Sequence, residues 1–257
     1  MLAFAIQFPY DFAMTIGILC AIPEETKAFG AALTVKNKYA IGDAIFLAGA
    51  LEGIDVTLIE CGIGKVNAAF AATVLCDHFK CTKLIFSGIA GGIDPALHVG
   101  DVVIADRLIQ MDYGKFQGGD IMPYRPGVPP LAPPEGEIGY LLSPDLKQKL
   151  SPLLEVTLPM WEERVPKISF GTILTGDVFL NDSARREILF NSHGAQAIEM
   201  EGAAIAQVAE KFGAETVIIR ALSDLAGDDS HLDFITFGHF AAQSAAALVI
   251  KTLQLFA

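Results

Sequence analysis

Residues 15–25 read TIGILCAIPEE. The run Thr15–Ala21 is short, apolar and rich in strand-forming residues, and Pro23 then opens a charged stretch that starts a helix with proline in its first turn. A strand followed by a helix is the unit that repeats outward along the chain. Ala44–Ala50 and Val56–Cys61 read as strands with Gly53 in the turn between them, and Lys65–Phe79 has helical periodicity. Lys83–Ser87 reads as a buried strand running into a GIAGG loop, and Asp101–Ala105 as another strand. Residues 110–140 hold many Gly, Pro and aromatic residues without a sustained period, which predicts a long surface loop. Regular structure resumes with a helix over Pro144–Leu154, a strand over Ile168–Thr175 and a helix after Asp182. A helix over Glu201–Phe212, a strand over Thr216–Ser223 and a long helix over Asp233–Leu255 complete the chain. The alternation predicts an α/β single domain with a mixed, mostly parallel central sheet covered by helices on both faces.

Composition agrees. The 257 residues are 52% hydrophobic and 19% charged, which excludes a disordered chain and suits strands buried on both sides. A formal charge of −12 opposes attraction to nucleic acid phosphates or anionic membranes, so neither is expected as a partner. Cys20, Cys61, Cys76 and Cys81 form no C-x-x-C pair and have no histidine at zinc spacing; reduced thiols in a cytoplasmic protein are expected, with no metal. Residues 1–13 are apolar but lack a basic leader and contain Pro9 and Asp11, which predicts an N-terminal extension rather than a signal peptide, with Met14 as an alternative start.

In open α/β sheets ligands gather beyond strand ends, so polar residues at strand exits are the candidates. Glu24 and Glu25 follow the first strand, residues 88–92 the Lys83 strand, Thr175-Gly176-Asp177 the middle strand and Ser223-Asp224 the late one. Asp224 follows a mostly apolar run, where burial raises a carboxyl pKa and lets it hold a proton near neutrality; capping of the next turn is the simpler role for the same residue. For Glu24, Glu25, Glu199 and Glu201 the simpler role is stabilisation of a helix start. Gly62-Ile63-Gly64-Lys65-Val66-Asn67 lacks the third glycine of a dinucleotide fingerprint and reads as a tight turn. Asp229-Ser230-His231 has triad residue types but not triad spacing, and G-x-S-x-G is absent.

Seven segments together resemble the nucleoside phosphorylase superfamily, most closely its 5′-methylthioadenosine/S-adenosylhomocysteine nucleosidase branch: IGILCAIPEE (16–25), CGIGKVNAAFAAT (61–73), SGIAGG (87–92), VGDVVIAD (99–106), TGDVFLND (175–182), IEMEGAAIAQVA (198–209) and RALSDLAGDDSHLDF (220–234). The resemblance implies a nucleoside phosphorylase-like catalytic domain over 14–257, no cofactor and a homodimer. It assigns Asp224 as the acid that protonates the purine at N7 and Glu25 as the base that activates water. It also implies that Glu201 binds the ribose hydroxyls, Met200 packs on the sugar, and Glu199 belongs to the same substrate-binding group. Phe179 would stack on the purine, the backbone of Leu180 would read its edge, and Phe234 would line the pocket for the 5′ substituent. Ser223 and Arg220 would support the acid and the water. Ile89 stands where the family carries a small hydroxyl residue.

Cleaving a C–N glycosidic bond creates an oxocarbenium-like sugar, which calls for a proton on the departing base, negative charge near the sugar and a route for water to lose its proton. Phosphorolysis needs cations or backbone amides to hold phosphate. Where the similar phosphorylases carry an arginine after the first strand, this chain has Pro23-Glu24-Glu25, so hydrolysis that releases adenine is expected. The alternatives are another purine nucleoside hydrolase of the futalosine hydrolase type, a purine nucleoside phosphorylase, and a non-catalytic nucleoside-binding protein.

Overall fold

The computed structural model describes residues 16–129, 138–160 and 163–257; the extension over 1–13, Met14 and part of the proline-rich segment lie outside them. The strands are β1 (Ile16–Cys20), β2 (Leu33–Ile41), β3 (Ala44–Leu51), β4 (Ile54–Glu60), β5 (Lys83–Gly92), β6 (Val102–Gln110), β7 (Gly114–Gln117), β8 (Asp120–Pro123), β9 (Tyr140–Leu141), β10 (Ile168–Thr175), β11 (Ala197–Glu199) and β12 (Glu215–Asp224). The helices are α1 (Pro23–Lys27), α2 (Lys65–Asp77), α3 (Pro144–Leu150), α4 (Ser183–His193), α5 (Gly202–Phe212) and α6 (Ser230–Gln254).

The main sheet runs β11-β10-β6-β12-β5-β1-β4-β3-β2, with β9 beside β6. β4, β1, β5 and β12 are mutually parallel, β10 is parallel to β6 and β11, and the β12–β6, β3–β4 and β2–β3 pairs are antiparallel. β11 also pairs antiparallel with the end of β5, Ala197 opposite Gly92 and Ile198 opposite Gly91. That second seam closes β11, β10, β6, β12 and β5 into a ring, and β1, β4, β3 and β2 extend from it as an open arm.

Side-chain alternation decides the two layers. In β1 and β5, Leu19, Leu84, Phe86 and Ala90 point into a core shared with α2 and α5. Ile16, Ile18, Cys20, Ile85 and Ile89 point the other way, toward α3 and α6. α6 is long and apolar enough to cross a membrane, with an 18-residue stretch of mean hydropathy 1.2, but its small residues Ala241, Ala242, Ala245 and Ala246 are buried against the sheet.

Four points of the sequence reading need correction. The GIAGG segment is strand, not loop: β5 continues to Gly92 because a β-carbon at Gly91 would come within 2.9 Å of Asp224 Oδ1, and one at Gly92 within 2.9 Å of Leu222, so glycine admits the neighbouring strands. The 110–140 loop contains the β7–β8 hairpin, which turns at Gly118 and Gly119 with φ of 67° and 89°. β2 was not anticipated; it is largely exposed on the sheet's edge and has too little apolar alternation to signal a strand. The expected helix over Pro144–Leu154 is α3 followed by a 3-10 turn, Ser151–Glu155.

Candidate active site

A cavity of about 400 Å³ opens beside the closing seam of the ring. It is lined by Glu25, Ile89, Phe179, Glu199, Met200, Glu201, Ser223, Asp224 and Phe234, which are nine of the residues singled out in the sequence. Leu180 lines a small adjoining recess with Val178, Phe179 and Met200. Arg220 lies beneath the floor, fully buried. Glu24, the other acid of the first turn, is exposed.

The floor is an ion cluster. Arg220 Nη2 donates to Glu199 Oε2 at 2.6 Å and to Glu201 Oε2 at 2.9 Å, and Nη1 lies 3.6 Å from Glu25 Oε1. The guanidinium stacks over Phe86, 3.6 Å from the ring centroid. Burial works against the arginine's charge, and Glu199, Glu25 and Glu201 outweigh it, holding the group protonated. Three carboxyl groups therefore share one guanidinium beside the cavity.

Each carboxyl is oriented differently. Glu25 sits in the first turn of α1, and its Oε2 accepts from the backbone N–H of Ala21 (2.6 Å) and Ile22 (3.3 Å). Its Oε1 accepts from Ile89 N–H at 2.9 Å, so Ile89 serves the site through its backbone while its side chain packs in the α6 layer. Burial raises the pKa of Glu25, against the pull of Arg220 and these three amides. Glu199 ends β11, and its Oε2 caps the start of α5 by accepting from Glu201 N–H (3.0 Å) and Gly202 N–H (2.7 Å). Thr175, at the end of β10, donates its hydroxyl to Glu199 and accepts from Ala203 N–H. The helix-start role is thus real for Glu199, whereas Glu201 turns toward Arg220 and accepts from Gly64 N–H at 2.7 Å. Burial lifts Glu201 to about 7, with Arg220 opposing and the charge of Glu199 adding to the rise.

Asp224 stands at the end of β12. Its Oδ1 accepts from Ala226 N–H at 2.8 Å and its Oδ2 from the Ser223 hydroxyl at 2.9 Å. It caps the following turn and is also buried; burial raises its pKa, against the Ala226 amide and the Ser223 hydroxyl. The rise favours the protonated form, which is the form able to donate a proton. Phe179, half exposed, meets Phe234 edge-on at 6.2 Å between centroids, forming an aromatic corner at the mouth.

The sequence reading set Gly64 aside as a turn and His231 as a mis-spaced triad residue, and named Gly88 only as part of the 88–92 strand exit. Gly64 acts through its amide and a φ of 101°, and His231 reaches the cavity from the first turn of α6. Gly88 leaves room for Arg220 and Glu25. Motif glycines carry no chemistry of their own, so only the turn character of Gly64 was visible. Among the described residues no group of three or more His, Cys, Asp or Glu is arranged to hold a metal. Burial pushes the nearby Cys61 thiol up to about 12, and burial also raises Cys20.

Residues 15–254 match the model of the phosphorylase superfamily. The chain is 40% identical over 245 residues to a 5′-methylthioadenosine/S-adenosylhomocysteine nucleosidase of Mycobacterium bovis, covering 92% of this chain and 96% of that one. Its fold superimposes with a TM-score of 0.80 on the S. pneumoniae nucleosidase of the same name bound to the transition-state inhibitor MT-ImmA, at 28% identity and with 95% and 100% of the two chains covered. A futalosine hydrolase of Helicobacter pylori superimposes with a TM-score of 0.78 at 26% identity, covering 94% and 97%. The chain therefore belongs to the phosphorylase superfamily and, within it, to the family of 5′-methylthioadenosine/S-adenosylhomocysteine nucleosidases.

Proposed function

We propose that the protein hydrolyses the N-glycosidic bond of 5′-methylthioadenosine and S-adenosylhomocysteine and releases adenine. The observation that carries this reading is the buried cluster of Glu25, Glu199 and Glu201 around Arg220, facing Asp224 across one cavity. Asp224 gives its proton to purine N7, and the C1′–N9 electron pair leaves with the base. Water attacks C1′ and loses a proton to Glu25, whose orientation is fixed by three amides. The net change in the protein is one proton moved from Asp224 to Glu25, restored by exchange with solvent. Glu201 accepts from the ribose hydroxyls and, with Glu25, supplies the negative charge that stabilises the cationic sugar. Met200 packs on the sugar, Phe179 stacks on the purine, and the Leu180 backbone reads its edge. Phe234 lines the pocket for the 5′ substituent, Ile89 lends its backbone N–H to Glu25, and Ser223 orients the acid.

The acidic floor disfavours phosphate as the nucleophile. The test is adenine release in phosphate-free buffer from methylthioadenosine, S-adenosylhomocysteine and adenosine. Rapid release from the thioethers is expected; turnover that needs added phosphate would overturn the assignment. The similarity to futalosine hydrolase favours a second reading in which the 5′ substituent is that of futalosine, and the same assay with futalosine decides between them.

We further propose a single catalytic domain over 14–257 that works as a cytoplasmic homodimer in methionine salvage, with no cofactor. The unpaired thiols support the compartment, and the exposed apolar residues Val66 and Phe70 of α2 support the pairing of two copies.

A further inference from the structure

The segment that carries the purine wall is held at both ends from outside the cavity. It links β10 to α4 and contains Phe179 and Leu180. At its start, Asp177 N–H donates to Asp112 Oδ2 at 2.9 Å, and Asp177 Oδ1 accepts from Lys65 N–H at 2.9 Å. Lys65 Nζ completes the triangle, 2.5 Å from Asp112 Oδ1 and 3.7 Å from Asp177 Oδ2. At its end, Asp182 caps α4 through Arg185 N–H, and the Arg185 guanidinium grips Asp120 with two parallel bonds of 2.6 and 2.8 Å. Asp112 and Asp120 both belong to the arm that leaves β6 and forms the β7–β8 hairpin. Lys65 follows Gly64, whose amide holds Glu201, so one turn touches both the carboxyl assigned to the ribose and the anchor of the purine segment.

We propose that the arm over residues 111–123 is a brace for the purine wall, with Lys65, Asp112, Asp120 and Arg185 as positioning residues. This rests on the nucleosidase reading given above. The physical basis is a short link bearing an aromatic ring that is 51% exposed and meets Phe234 only edge-on, so its position is imposed from the flanks. The Lys65–Asp112 clamp, at 18% and 23% exposure, is screened less than the Arg185–Asp120 pair at 40% and 41%, and carries the larger share. Adenine meets this wall in ground state and transition state alike, so loosening it weakens binding more than it slows chemistry.

The test measures adenine binding by calorimetry and methylthioadenosine turnover for the parental protein, Lys65→Met, Asp112→Asn and Lys65→Arg. Lys65→Met and Asp112→Asn should raise the adenine Kd and KM about five- to tenfold, with kcat within about twofold. Lys65→Arg should keep most of the affinity. A merely structural role would lower Tm and leave KM untouched. If the Lys65 and Asp112 variants do not fold, the charge swap answers instead: Asp120→Arg and Arg185→Asp should each weaken adenine binding, and the double variant should recover it. Parental adenine affinity in folded variants, or a swap that recovers nothing, overturns the brace alone. A parental protein that binds no adenine overturns the nucleosidase reading and the brace with it.

Discussion

Gly88 passes so close to Arg220 that a β-carbon on it would overlap the guanidinium Nη1 and, on its other side, the carboxyl of Glu25. The absent side chain is what lets the Glu25 carboxyl and the guanidinium meet beneath the cavity. Gly88→Ala must push the pair apart by about an ångström. A loss of at least about a hundredfold in kcat/KM is expected, the scale of effect that such a misplacement produces. Steady-state adenine release by folded Gly88→Ala checks it, and a near-parental rate would show that the Glu25–Arg220 spacing is not required.

Asp224→Asn keeps the shape of the β12 exit and an oxygen to accept from Ala226 N–H but has no acidic proton to give. Turnover should fall by about 10² to 10⁴, the usual contribution of a general acid, while an unreactive substrate analogue binds with affinity close to parental. Near-parental turnover would remove Asp224 from the acid role.

The pH dependence follows from Glu201, raised by burial from 4.5 to about 7. The ribose-binding role proposed for it needs the carboxylate, so kcat/KM of the parental enzyme should climb with pH through a limb near 7, and Glu201→Gln should lose that limb along with most of the rate. Stability moves the other way. A carboxyl whose folded pKa is raised binds its proton more tightly in the folded state; the resulting stability is complete below about 4.5 and is lost as pH rises through about 7. The Tm of the ligand-free protein should therefore fall between pH 5.5 and 8, and Glu201→Gln should flatten that fall. An equally steep fall in the variant would place the titration elsewhere.

Arg164 is a stability determinant away from the chemistry. Its Nη1 donates to Asp101 Oδ1 at 2.7 Å and its Nη2 to Val99 C=O at 3.1 Å, while the Asp101 side chain is 1% exposed. Lys167 and His98 amides also point at that carboxyl. Arg164→Met leaves a buried carboxylate without its cation and should cost about 2–4 kcal/mol, read as a Tm lower by roughly 5–10 °C. An unchanged Tm would mean that the two amides suffice.

The alternation of elements was legible because the central strands are buried on both faces and carry mostly apolar runs, as in β1 and the first half of β12. β2 escaped because an exposed edge strand lacks that signal, and the end of β5 escaped because glycines that admit neighbouring strands look like glycines that make a turn. At the site, the acids showed themselves as charges at the ends of apolar runs. Residue type alone did not separate them: Glu199 and Glu201 both meet the guanidinium, yet Glu199 also caps the start of α5 whereas Glu201 reaches across to the Gly64 amide. The contributions of Gly64 and Gly88 depend on an amide and on empty space, neither of which a residue name displays.

The pairing of β11 with the tip of β5 makes five strands into a hoop without a free end. An open sheet frays from its edges inward, but a hoop must break two seams before any of its strands comes loose. Amides in β11, a strand of three residues, are thereby guarded as if they lay in the middle of a wide sheet, whereas those of β2 exchange from an open rim. The protein has put Glu199 at the end of its shortest stave and still denied it the freedom of a loop, so any remodelling of the substrate pocket falls to the segments that hang outside the hoop.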